Sequence, residues 1–119
     1  MKDISEGIRL FNESDFFSAH DFFEDCWINC NHEERLFFQG MVQISVGCFH
    51  LLGGNINGSL SQFRKGMQKL VHYGPEYRGI NLEKLLDEVK SLLNIFNDYS
   101  FVENPKKLWD VIPKIEVYN

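Results

Sequence analysis

A chain of 119 residues, 44% hydrophobic and 24% charged, can bury one real core and is predicted to form a single domain over residues 1–119. Its net charge of −5, with no run of Lys or Arg, excludes nucleic-acid binding driven by phosphate contacts. Three cysteines (Cys26, Cys30 and Cys48) without CxxC spacing exclude a disulfide framework and a cysteine zinc site, and predict reduced thiols in a cytoplasmic protein.

Helical periodicity dominates the chain and strand-like alternation is nearly absent. Met1 to Asn12 is charged and amphipathic, unlike a secretory leader. Within it, Asp3 and Glu6 form a capping-box pattern for a short first helix with Ile4, Ile8 and Phe11 on one face. Asn12 to Asp15 reads as a turn, and a second helix runs from about Asp15 to Asn29. Asn31 followed by Glu34 opens a third helix.

From Leu36 to Leu52 apolar residues surround the third helix, which predicts a buried, central element. The stretch is uncharged and about one membrane span long. Gln39, Gln43, His50 and two glycines make it costly in lipid, so no membrane association is expected. Gly40 and Gly47 are seven apart and share one stripe. That stripe suits close approach of another helix, either in the same chain or across a homodimer seam.

Gly53-Gly54-Asn55 reads as a helix stop and a new cap. The fourth helix starts near Asn57, with Leu60, Phe63, Met67, Leu70 and Val71 as its apolar face. His72 to Pro75 ends it. Asn81 caps a fifth helix to about Tyr99. Asn104-Pro105 starts one or two further turns through Val111. The tail from Lys114 is expected to be extended, with Leu108, Trp109 and Ile112 as anchors. Short loops make neighbouring helices antiparallel. The fold class is therefore all-α: an antiparallel bundle of about five helices around the third.

Some polar residues fall where apolar ones are expected. At 100° per residue, His20 and Glu24 share an arc of the second helix with Phe16, Phe17, Trp27 and Ile28. Being four apart, they can touch. Gln39, Gln43, Val46 and His50 line up within about 60° on the third helix. The two polar lines are expected to face each other, because unpartnered polar groups in a core cost roughly 1–3 kcal/mol each.

Three readings fit these residues. A buried hydrogen-bond network would fix helix register. A small-molecule pocket would use the Gln amides, the flat wall of Trp27 and the proton exchange of His20 or His50. A metal site would take His20, Glu24 and His50. HxxxE is not HExxH, and the paired Glu-x-x-His motif of metal-binding bundles is absent.

Phe11-Asn12, Ala19-His20-Asp21, Glu24, Trp27, Phe38 to Gln43, His50, Gly54-Asn55 and Gly58 together resemble the family known as domain of unknown function 309, over about Phe11 to Leu70. The resemblance implies a small, all-helical fold. It also implies a signature at His20, Glu24, Trp27, Gln39, Gln43, His50 and Asn55, and it implies no activity. Asp21 stands where that family usually has Glu, and Ser59 where it usually has Ala.

These observations lead to a non-enzymatic binding or scaffold domain with a semi-buried His/Glu/Gln cluster that takes a small ligand or a protein partner. The first alternative is a metal-assisted or acid–base hydrolase, with His20 or Glu24 as base and His50 as ligand or acid. The second is a partner-binding surface around Phe101 to Trp109. Catalytic residues and cofactors stay unassigned.

Overall fold

The computed structural model describes residues 3–96 and 106–118, and only the backbone of residues 106–108. Six α-helices lie in this part: α1 Ser5–Asn12, α2 Phe16–Asn29, α3 Arg35–Leu52, α4 Ile56–Leu70, α5 Leu82–Ile95 and α6 Lys106–Val111. The expected continuation of α5 to Tyr99, the cap at Asn104-Pro105 and the patch at Phe101 lie outside the described residues. The chain is a helical bundle with α3 between α2 and α4.

The helix starts follow from capping chemistry. Asp15, Asn31, Asn55 and Asn81 each accept a hydrogen bond from the backbone N–H three residues on. Each satisfies a donor that a helix start leaves orphaned. α1 departs from the expected capping box. Ile4 takes the cap position, so Glu6 comes one residue too early to reach back. Asp3 accepts instead from the Ser5 N–H and hydroxyl, and Glu6 pairs with Arg9.

Two helix ends close in the same way. At the end of α3, Gly54 N–H donates to Leu51 C=O and Asn55 N–H to His50 C=O, with Gly54 at φ +84. This is a Schellman motif, which needs a left-handed residue. At the end of α1 the same pair of bonds forms around Ser14, at φ +62. A serine there carries the strain that glycine avoids.

α3 and α4 approach closely because both carry glycines. A Cβ on Gly47 would lie 2.6 Å from Phe63 Cδ1, and one on Gly40 would lie 2.8 Å from Leu70 Cγ. The stripe that the sequence leaves open to either intrachain packing or a dimer seam is filled by α4 of the same chain. Half of α3 is buried, including Phe37, Phe38, Met41, Ile44 and Leu51.

A small hairpin, not expected from the sequence, joins α4 to α5. Its arms are Glu76–Tyr77 (β1) and Ile80–Asn81 (β2), too short to show a period of two. Arg78 and Gly79 both have positive φ, the geometry of a tight two-residue turn. The extended tail lies against this hairpin, with Val117 bridging Ile80. Ile112 and Ile115 anchor it. Trp109 does not, being 61% exposed. It lies in α6, a helix of only six residues, and Ile112 beyond it is the residue that reaches the core. The side chain of Leu108 lies outside the description. Among the described residues no helix is long and apolar enough to cross a membrane.

Candidate functional site

α2 and α3 each have a buried face and a flank. On α2 the buried residues are Phe16, Ala19, Phe23 and Cys26. His20 and Glu24 are rotated off that face towards solvent and are half-buried. On α3 the polar line is the outward side of the helix. Gln39, Gln43, Val46 and His50 are half-buried there, with α2 and α4 flanking the helix.

His20 sits between two carboxylates. Its Nδ1 is 3.2 Å from Asp21 Oδ1 and its Nε2 is 3.1 Å from Glu24 Oε2. The helical repeat sets the Glu24 contact, since residues four apart face each other. The His20 side chain is 26% exposed, so the pair is neither sealed in a core nor wholly in water.

Across from His20, Val46, Phe49 and His50 of α3 complete a depression of about 200 Å³ with Phe17. The Phe17 and Phe49 rings lie 5.9 Å apart at its mouth. They are 58% and 48% exposed, an unusual placement for two large aromatics. A neighbouring cavity of about 360 Å³, reaching to Leu52 and Gly53, shares both rings.

The predicted site residues therefore divide. His20 and Glu24 touch, as expected, and His50 shares a depression with His20. Gln43 points to the other neighbour of α3, accepting a hydrogen bond from Lys69 Nζ at 2.8 Å. Burial, with Lys65 nearby, lowers the Lys69 pKa. Gln39 lies further along the same stripe, and among the described residues neither Gln hydrogen-bonds to the His20–Glu24 pair. Trp27 is two turns away from His20, with the Arg35 guanidinium 5.3 Å from its ring centroid. Asn55 is a helix cap, and a Cβ on Gly58 would collide with its side chain at 2.5 Å. The Gly-Asn-x-x-Gly pattern is thus a turn-and-cap device.

Sequence reasoning missed Phe17, Val46 and Phe49 as walls and Asp21 as a partner of His20. The signal for Phe17 was its place beside His20 on the same arc. Asp21 reaches the ring despite being shorter than Glu, and its side chain stays 60% exposed.

The cysteines stand apart from this site. Cys26 and Cys30 line a cavity of about 340 Å³ with Asn29, Glu34 and Arg78. Arg78 Nε lies 3.4 Å from Glu34, and its guanidinium stacks over Phe38 at 5.5 Å. That pairing clamps the hairpin onto the start of α3. Cys48 is fully buried, which pushes its thiol pKa well up. None of Cys26, Cys30 and Cys48 is in a disulfide among the described residues.

Residues 4–62 match the family model described as Domain of unknown function (DUF309), and the chain belongs to that family. None of the curated proteins compared with the chain matches it. The matched segment contains α1, α2, α3 and the start of α4, and so includes the whole depression.

Proposed function

We propose that this member of the DUF309 family is a binding domain whose ligand occupies the depression between α2 and α3. The observation that carries the reading is the exposed Phe17–Phe49 pair beside two imidazoles from different helices. Apolar surface left in water forgoes about 25 cal/mol per Å², and a ligand covering these rings recovers it. Packing explains the glycines and Asn55 of the family pattern, and it leaves His20 and Glu24 unexplained.

The ligand is small, with an apolar body and one polar head. About 200 Å³ is below the roughly 300–1,000 Å³ of drug-sized pockets, and the adjoining cavity extends the same wall. His50 can donate to the head or accept from it, while His20, held by Asp21 and Glu24, forms the facing wall. Cysteines outside disulfides suit a reducing, cytoplasmic setting.

The test is a fragment screen by NMR, using small aromatic compounds that bear a single carboxylate, amide or hydroxyl. Shifts of the His20 and His50 ring protons, lost in Val46→Trp, are the expected result. Binding that survives Val46→Trp, or that moves only residues elsewhere, removes the proposal.

A further inference from the structure

We infer that the face formed by the outward sides of α2, α3 and α4 docks a second copy of this chain, about a two-fold axis that runs along α3. The inference goes beyond the ligand reading and does not need the depression to be filled.

The face has a middle line and two banks. The line is Leu36, Gln39, Gln43, Val46 and His50, on one side of α3. One bank is the flank of α2, with Asp21 and Glu24. The other is the flank of α4, where Lys69 reaches Gln43 and Lys65 stands exposed one turn earlier. The first bank is acidic and the second basic.

The charges are level with each other. The Phe17–Phe49 and Trp27–Arg35 contacts set α2 antiparallel to α3. Seven residues on from Phe17 is Glu24, and seven back from Phe49 is Val42, next to Gln43. Glu24 and Lys69 therefore flank the same stretch of α3 from opposite sides.

Two-fold symmetry leaves two ways to stack such a face on its copy. An axis across α3 sets acid on acid and base on base, which costs affinity. An axis along α3 sets each acidic bank on a basic one, and Glu24 on the partner's Lys69. The same axis brings Gln39 and Gln43 against their own copies. A glutamine amide both donates and accepts, so it is complementary to itself.

Apolar surface adds to the charge match. Ile28 and Leu36, at the end of the face where α2 leads into α3, are 66% and 45% exposed. Leu36 stands on the line itself, so the copies meet tightly there. Packed helices cross at an angle. The seam therefore opens towards His50, before the depression at Phe17 and Phe49.

The experiment measures the mass of the full chain by analytical ultracentrifugation, from micromolar to millimolar concentration. A reversible monomer–dimer equilibrium is expected. Leu36→Asp should leave only monomer, and the first turn of α3 tolerates the new acid. Glu24→Lys and Lys69→Glu should each weaken the dimer about tenfold or more, since each sets two like pairs against each other. The double variant Glu24→Lys with Lys69→Glu should restore it, because both pairs are then reversed. Circular dichroism checks that each variant stays folded. A chain that stays single throughout overturns the pairing and leaves the face to another protein. Dimers indifferent to both charge reversals, or a folded double variant that stays monomeric, overturn the axis. Fragment shifts at His50 are read separately in dilute, monomeric protein, so either proposal can fail alone.

Discussion

The two sides of α3 are built on opposite rules. Towards α4, glycines remove side chains so that Phe63 and Leu70 can sit against the backbone, and no space is left. Towards the outer edge of α2, large rings stand half in solvent and polar groups gather around a depression. The first side spends its residues on stability. The second keeps residues that packing does not need, and function is sought there. A substitution should therefore report which side it belongs to.

The largest effect is expected at the centre of the seam. Phe63 is fully buried against Gly47, and Phe63→Ala should cost about 3–5 kcal/mol in chemical denaturation. Gly47→Val fills the same seam from the other side. It should cost about 1–3 kcal/mol, since Phe63 must move. Equal stability of either variant and the parent would erase the contrast between the two sides.

Ser59 sharpens it. Its hydroxyl is buried on α4 and has no hydrogen-bond partner among the described residues, whereas the buried Ser45 hydroxyl donates to Met41 C=O at 2.8 Å. Ser59→Ala should stabilise the protein by about 1 kcal/mol, and Ser45→Ala should not. A thermal melt of the two variants decides the matter.

On the outer side, Phe17→Ser should change stability by less than about 1 kcal/mol while abolishing fragment binding. A large loss of stability there would make Phe17 a core residue and dissolve the comparison.

The smallest effect concerns pH. A hydrogen bond from Lys84 lowers the Glu116 pKa from its usual value near 4.5. A carboxylate with a lowered folded pKa stabilises above its unfolded value, and that contribution is lost as pH falls through the lowered one. Below pH 4.5 the tail should therefore loosen first. Amide exchange at Asn81, whose N–H donates to Glu116 C=O, should report it.

Much of this architecture was legible in the sequence because it is local. Asp15, Asn31, Asn55 and Asn81 announce helix starts by chemistry confined to four residues. The His20–Glu24 contact follows from one helical turn. What could not be read depends on neighbours. The angular position of Gln43 on α3 does not say whether α2 or α4 flanks it, and Lys69 of α4 was the answer. Phe49 is spelled like a core residue, and only the packing of α2 reveals that its ring is half outside. The hairpin at Arg78-Gly79 escaped because two-residue arms carry no period.

One contact reaches almost from end to end of the described chain. The side chain of Asn12 donates to Ile115 C=O and accepts from Ile115 N–H, across 103 residues. Lys114 Nζ adds a bond to Asn12 C=O, and Tyr118 N–H donates to Gly79 C=O. On the ribosome, α1 to α4 emerge first and can pair with their sequence neighbours. The end of α1 and the hairpin wait for residues 112–118. Loop-closure entropy makes such a contact late in folding as well as late in synthesis. The tail therefore works as a latch, and an interrupted translation product would carry the depression while its first helix still lacked its fastening.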